Sequence, residues 1–182
     1  GPYVHIGNGM TDTSSLQYLL SKNKKIIGQD YAPHKEEILM SYKSNKSGWG
    51  AAAKGKDVIM MPRQFCSLDY YQDWDDEKKS FSMSYLPLDK AYALNLYGKI
   101  KDSKIQKHIL GGQAYVSTQF IKDAEELQYL VFPRLLAIAE CVWTKNGLKK
   151  FSDFERRLKT QKNYFFKEKD LPKIDIVHIK PR

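Results

Sequence analysis

The chain has 182 residues and carries 30 Lys and Arg against 21 Asp and Glu, for a formal net charge of +9. A hydrophobic content of 42%, an aromatic content of 13%, and only 11 Gly and 7 Pro exclude a disordered, collagen-like or low-complexity chain. The length predicts one folded domain with a sizeable core. We expect this domain over residues 1–162, and a basic tail over residues 163–182 that forms an added edge strand or docks on the domain.

The sequence shows no pattern for a membrane, a cofactor or a metal. Its apolar runs are shorter than the ~18 to 20 residues that a spanning helix needs, and the N-terminus lacks the basic region and apolar stretch of a signal peptide. Cys66 and Cys141 have no CxxC or Cys/His spacing, so no disulfide framework or metal site is predicted. We expect no cofactor, no metal and no membrane partner, and the sequence leaves the compartment open.

The positive charge raises the question of nucleic-acid binding, because clustered Lys and Arg release counterions from phosphates. The basic residues fall in short groups, such as residues 22–25, 99–107 and 145–150, which are scattered along the chain and often lie near acids. This distribution favours a solvated surface over a nucleic-acid groove.

Short apolar runs alternate with helical patterns along the chain. Strands are predicted at residues 3–6, 25–28, 37–42, 57–61 and 109–116. Helices are predicted at residues 15–20, 51–54, 88–94, 124–131, 133–143 and 151–159. The alternation is typical of an α/β protein.

The helix that begins at Pro133 has the clearest pattern. Proline is favoured at the first helical position, and Leu135, Ile138, Ala139 and Val142 follow at the spacing of one apolar helix face. We interpret this face as core packing.

Four stretches of the sequence carry a resemblance to a known family. They are Tyr-Val-His-Ile-Gly at residues 3–7, the run from Gly55 to Pro62 followed by Leu-Asp-Tyr-Tyr-Gln-Asp-Trp at 68–74, Ile-Leu-Gly-Gly-Gln-Ala at 109–114, and residues 132–144 with the pattern Ala-Glu-x-x-Trp. In this order they resemble the C-terminal portion of the catalytic barrel of glycoside hydrolase family 20, the β-N-acetylhexosaminidases. The resemblance implies an α/β fold of the (β/α)8 TIM-barrel type.

The five predicted strands would be the fourth to eighth of that barrel. Five strands cannot close an eight-stranded barrel, and an open parallel sheet leaves unpaired edges. We therefore expect a partial barrel whose edges pair with a second copy of the chain or with a missing N-terminal half.

Active sites of such barrels collect after the strands, and this is where the sequence departs from the family. The family's first stretch continues His-Ile-Gly-Gly-Asp-Glu; its Glu protonates the leaving group and its Asp orients the substrate's acetamido group. Here Gly9 occupies the position of the family's Asp, and Met10 occupies that of its Glu, so neither catalytic carboxylate is present at these positions. His5, near the catalytic pair in the family, is then expected to be a buried structural residue.

The aromatic walls of the family's sugar pocket are also changed. Three tryptophans that would contact the sugar and its acetamido group are replaced here by Gln29, Tyr42 and Ser117. The Tyr70, Tyr71 and Trp74 rings remain as a sugar platform or, equally, as parts of a packed loop.

Polar positions of the pocket are retained in part. The resemblance implies that Asp69 accepts sugar hydroxyls and that Gln119 offers an oxygen where the family has a Glu. Asp30 is kept from the family's Gly-Trp-Asp-Glu motif, whereas Ser67 stands where a Tyr would bind the acetamido oxygen.

Three functions follow as hypotheses. The first is a hexosaminidase-like domain that has lost catalysis and binds N-acetylhexosamine glycans weakly or not at all. The second is a structural or protein-interaction module that pairs through open barrel edges. The third is an active glycosidase that takes its carboxylates from Asp12, Asp30 or Asp69.

Overall fold

The computed structural model describes residues 27–29, 38–72 and 84–165. The described residues fall into two compact units. The first, unit 1, is formed by residues up to Arg63 together with Leu96–Ser117, and the second, unit 2, by Gln64–Asn95 and the residues from Thr118 onward.

Unit 1 is built on a four-stranded parallel sheet. Its strands are β1 (Ile27–Gln29), β2 (Ile38–Ser41), β3 (Val58–Met60) and β4 (Ile109–Gly112). They lie side by side in the order β1-β2-β3-β4, and all three pairings are parallel. This order has no reversal point, unlike a doubly wound sheet, and matches the sequential order of a (β/α) barrel.

Four of the five predicted strands are therefore confirmed. Three are shorter than predicted, and β1 overlaps its predicted range but ends one residue later. The predicted strand at residues 3–6, the helix at 15–20 and the tail beyond residue 165 lie outside the described residues, whereas residues 163–165 belong to a helix that ends at Phe165. β4 ends at Gly112 rather than at the predicted residue 116. Beyond it, the Gln113 amide still donates to the Met60 carbonyl at 2.9 Å.

The helices occupy both units. They are α1 (Asn45–Ala53), α2 (Arg63–Cys66), α3 (Leu88–Tyr92), α4 (Ser103–Gln106), α5 (Ala124–Val131), α6 (Arg134–Trp143) and α7 (Phe151–Phe165), with a 3₁₀ turn at Asn146–Leu148. The prediction missed α2 and α4, whose four residues are too few for a periodic pattern. None of the described helices is long and apolar enough to cross a membrane.

α1 starts six residues earlier than predicted and packs closely on the sheet. The Ser44 hydroxyl caps it by accepting a hydrogen bond from the Ser47 amide at 3.3 Å. Gly48 faces the strands, and a Cβ at this position would lie 2.5 Å from the Met60 sulfur and 2.8 Å from the Ser41 side chain. The absence of a side chain therefore allows this helix to approach β2 and β3, and the glycine conceals the helix from a search for apolar periodicity.

The core of unit 2 lies between α3, α6 and α7. The Tyr92 ring contacts Phe154 and Phe151 at centroid distances of 5.0 and 5.4 Å, and Phe154 and Leu158 of α7 are buried. The predicted buried face of α6 is wrong in part, because Ala139 is exposed.

The face of α6 that is buried consists of Arg134, Ala137, Ile138 and Cys141. The helix is rotated relative to the prediction because Arg134, a charged residue that a hydrophobic pattern assigns to solvent, points into the interior.

Candidate functional site

Six of the positions that the sequence singled out lie outside the described residues: His5, Gly9, Met10, Asp12, Asp30 and Trp74. Tyr42 and Ser117 belong to unit 1, and Ser67, Asp69 and Gln119 belong to unit 2.

In unit 1, an aromatic pair lies at the carboxyl edge of the sheet. Tyr42 directly follows β2, and its ring meets Tyr115, which follows β4, edge-on at a centroid distance of 5.6 Å and an interplanar angle of 70°. Both rings are half-buried, as is Ser117 two residues further on. The sequence analysis missed Tyr115, although its position just after the Gly111-Gly112 strand end was a usable signal.

Main-chain hydrogen bonds hold this edge in place. The Arg63 amide donates to the Tyr42 carbonyl at 2.8 Å, and the Met61 amide donates to the Ser41 carbonyl at 3.1 Å. Ser41 is fully buried, and its hydroxyl donates to the Ser44 carbonyl at 2.6 Å. The backbone of Tyr42 is thus fixed on both sides, and its half-exposed ring can offer a face to an apolar sugar surface.

In unit 2, two of the polar positions, Ser67 and Asp69, lie in the turn that follows α2. Asp69 is half-buried, and Gln119 is exposed. Ser67 has no exposed surface, and its hydroxyl makes no hydrogen bond to any described residue. A direct contact between Ser67 and a bound sugar would therefore require this turn to open.

Arg134 fixes the turn that carries Asp69. Its side chain is fully buried and donates hydrogen bonds to the carbonyls of Leu68 at 2.5 Å, Tyr70 at 2.9 Å and Leu86 at 3.0 Å. Two further donors reach the Leu130 carbonyl. A guanidinium suits this task because its five N–H donors fan out in a rigid plane.

Further contacts complete the hold on this turn. The Gln72 side-chain amide donates to the carbonyls of Tyr129 and Phe132, the latter at 3.0 Å. The Tyr71 backbone exchanges hydrogen bonds with Ser84 and Leu86 at 3.0 and 2.8 Å. Tyr70 and Tyr71 are half-buried. The role of Arg134 was not predicted from the sequence, and the available signal was a charged residue at the start of a mostly apolar helix.

A second polar network in unit 2 joins three helices. The Tyr92 hydroxyl donates to one Glu140 oxygen at 2.7 Å, and Arg157 donates to the other at 2.6 Å. Burial, reinforced by the hydrogen bond to Glu140, raises the pKa of Tyr92. Tyr92 is therefore a fixed hydrogen-bond donor at neutral pH and not a proton acceptor.

The two cysteines are buried and free. Burial raises the pKa of both thiols, and the Cys141 thiol donates to the Tyr92 carbonyl at 3.0 Å. Protonated thiols are poor nucleophiles, so these residues act as core side chains. Within the described part of the chain, no group of three or more His, Cys, Asp or Glu could hold a metal ion.

Comparison with known proteins gives a consistent result. The family model for the glycosyl hydrolase family 20 catalytic domain matches residues 16–146. A β-hexosaminidase of Porphyromonas gingivalis is 33% identical over 167 residues, which cover 83% of this chain and 21% of that protein. A β-hexosaminidase of Vibrio furnissii is 29% identical over 147 residues, covering 72% of this chain and 24% of that protein. The chain thus spans about a fifth to a quarter of the length of these relatives.

Solved structures of the same family share the fold. An exo-β-N-acetylglucosaminidase of Vibrio harveyi, in complex with N-acetylglucosamine, has a TM-score of 0.70 and 29% identity, covering 84% of this chain and 26% of that one. A second β-N-acetylhexosaminidase has a TM-score of 0.76 at 24% identity, covering 93% of this chain and 38% of that one, and supports the fold alone. These neighbours imply a TIM-barrel fold.

Proposed function

The chain belongs to glycoside hydrolase family 20 as a hexosaminidase-like domain, and from this premise we propose that it keeps the scaffold of the family without its catalysis. The observation that carries the proposal is the pair Gly9 and Met10, which stands where the resemblance to the family requires an Asp and a Glu. In this proposal the five predicted strands correspond to strands 4 to 8 of the family's barrel.

The chemistry of the two residues explains the expected loss. Glycine has no side chain, and a thioether cannot donate a proton to a leaving group. General acid catalysis supplies about 10²- to 10⁴-fold of the rate, and the orienting carboxylate is lost as well. We expect the chain to have at most marginal turnover.

Weak binding of N-acetylhexosamine glycans is the function that we propose in place of hydrolysis. Two observations support it: the half-exposed Tyr42 ring is fixed at the sheet edge beside Tyr115, and the turn that carries Asp69 is held by the buried Arg134. Gln119 is exposed and offers a further amide to sugar hydroxyls. A preorganised acceptor costs less ordering entropy on binding.

Calorimetric titration with an N-acetylglucosamine-derived thiazoline and with chitobiose tests this function. We expect saturable heat that disappears in Asp69→Asn. The matched control is Glu125→Gln, which removes one exposed carboxylate from the same unit and should leave the heat unchanged. An absence of heat at millimolar ligand would overturn the binding function.

A chromogenic N-acetyl-β-glucosaminide tests the loss of catalysis. We expect no turnover above buffer. Turnover that is abolished by Asp30→Asn or Asp69→Asn would instead establish the hypothesis of an active glycosidase with relocated carboxylates.

A protein-interaction module is the second candidate, and exposed apolar side chains favour it. Trp143 is 88% exposed and Leu136 is 41% exposed, and their spacing of seven residues places both on one face of α6. Pairing through this face would bury them, and the open sheet edges are the second surface through which such a module would pair. A sedimentation mass equal to the 21.1 kDa monomer at all concentrations would count against a self-pairing module.

A further inference from the structure

The charge of the described residues is divided unequally between the two units. Unit 1 has nine Lys or Arg against two Asp, a net charge of +7, whereas unit 2 has ten Lys or Arg against eight Asp or Glu, a net charge of +2. Most of the net positive charge of the described residues therefore lies in unit 1, although its lysines are scattered in the sequence. A field of one sign over a surface attracts ligands of the opposite sign.

The fold brings two of the lysine groups together at the amino edge of the sheet. Val58 pairs with Ile109 in the β3–β4 ladder, and just before this pair the Val58 amide donates to the His108 carbonyl at 2.7 Å. The side chains of His108 and Asp57 are hydrogen-bonded at 2.8 Å. Lys56 directly precedes Asp57, and Lys107 directly precedes His108. These two lysines are therefore neighbours.

Two more lysines flank this pair. The α1 C-terminus turns back so that the amides of Lys54 and Lys56 both donate to the Ala51 carbonyl, at 3.0 and 3.1 Å. α4, which carries Lys104, packs against α1. Lys54, Lys104 and Lys107 are exposed, and Lys56 is half-exposed. We call Lys54, Lys56, Lys104 and Lys107 the basic edge.

Both carboxylates of unit 1 that the structure describes are already engaged in local hydrogen bonds. Asp57 bonds to His108, and Asp102 caps α4 by accepting from the Lys104 amide at 2.8 Å. Neither carboxylate forms an ion pair with a lysine of the basic edge. Within the described part of unit 1, no carboxylate therefore neutralises these ammonium groups.

We propose that the basic edge binds an anionic polysaccharide, one whose sugars carry sulfate or carboxylate groups. Among the described residues of unit 1, the large hydrophobic side chain with extensive exposed surface is the aliphatic Leu110. Single-stranded nucleic acids use exposed aromatic platforms for stacking, and the described residues of the basic edge include none. Membrane surfaces take up amphipathic faces with several apolar anchors, whereas Leu110 is a single exposed apolar side chain beside this edge. The preference for a polysaccharide over other polyanions rests on the proposed function.

The basic edge is separate from the sugar positions of unit 1. Parallel strands place all their amino ends at one edge and all their carboxyl ends at the other, so Tyr42 and Ser117 lie at the opposite edge. A charged chain bound at the basic edge would increase the local concentration of glycan at the protein without occupying the sugar positions.

The test compares two variants with equal charge change in the full chain. The first replaces Lys54, Lys56, Lys104 and Lys107 by Gln. The control replaces four exposed lysines of unit 2 by Gln, namely Lys122, Lys145, Lys150 and Lys159. Binding of a sulfated glycosaminoglycan oligosaccharide is measured as a function of salt, beside double-stranded DNA and phosphatidylserine vesicles.

We expect the first variant to weaken binding of the oligosaccharide by at least about tenfold, and to lower the slope of log K against log salt by about 3 to 4. The control should bind like the parent chain. Equal weakening in both variants, no binding by the parent, or tighter binding of DNA or vesicles than of the oligosaccharide would overturn the proposal. Chitobiose is uncharged, so its titration tests the proposed function independently of the basic edge.

Discussion

Turns are held by different means in the two units. In unit 1, the turn after β2 is fixed by main-chain hydrogen bonds, such as the one from the Arg63 amide to the Tyr42 carbonyl, and by a helix that packs through Gly48. In unit 2, the turn after α2 is held largely by side chains, and the buried Arg134 contributes most because it bonds to carbonyls of four residues. Main-chain hydrogen bonds spread over several residues should tolerate single changes better than bonds that are concentrated in one side chain.

The largest effect is expected for Arg134→Met. The substitution keeps much of the apolar stem but leaves the carbonyls of Leu68, Tyr70, Leu86 and Leu130 without their donor. Buried carbonyls that lose their partners should lower the free energy of unfolding by about 3 to 5 kcal/mol. Urea denaturation checks this value.

Arg134→Lys is the matched control, because it keeps the charge and supplies fewer donors without the planar fork. It should recover only part of the loss. A decrease below about 1 kcal/mol for Arg134→Met would show that the turn does not depend on the guanidinium.

Two glycines of α1 should respond in opposite directions to the same substitution. Gly48→Ala places a Cβ against Met60 and Ser41, and overpacking of this kind costs about 1 to 3 kcal/mol. Gly50 has nothing within 4 Å of its Cβ position, so Gly50→Ala should stabilise the helix by up to about 1 kcal/mol. Thermal melts of both variants test the close approach of α1 to the sheet, and equal shifts would contradict it.

Tyr92→Phe should have the smallest effect, about 1 kcal/mol, because it removes the hydrogen bond to Glu140 and keeps the ring contacts. The pKa of Tyr92 is raised from an ordinary value of 10.0, so its contribution is fully present below pH 10 and is lost as the pH rises further. The stability of the parent chain should therefore fall more steeply above pH 10 than that of the variant.

Parallel curves for the parent and for Tyr92→Phe would rule out the assigned role of the Tyr92 proton.

Much of the fold could be predicted because its signals are local. Four strands were located from short runs of β-branched and aliphatic residues, and α5 was predicted with the bounds that the structure shows. α5 has the strongest local signals, with Asp123 accepting from the Glu126 amide at 2.8 Å and two acids in the first turn. The predicted range of α1 was too short, because glycine stands where an apolar residue would mark the buried face of the helix.

The site was less predictable because its parts are distant in sequence. The positions Tyr42, Asp69 and Gln119 came from the resemblance to a family, whereas Arg134 acts on carbonyls up to 66 residues away, and no pattern around it indicates which ones. The roles of Gly9, Met10, His5 and Asp30 remain predictions.

The sequence by itself determined the family and the order of the described strands and helices, because their signals lie in contiguous residues. Only the tertiary structure decided that Arg134 points inward, that Ser67 is buried, and that Lys56 and Lys107 are neighbours. These features depend on strand register and on helix rotation. Both are set by packing between segments that are distant in the sequence.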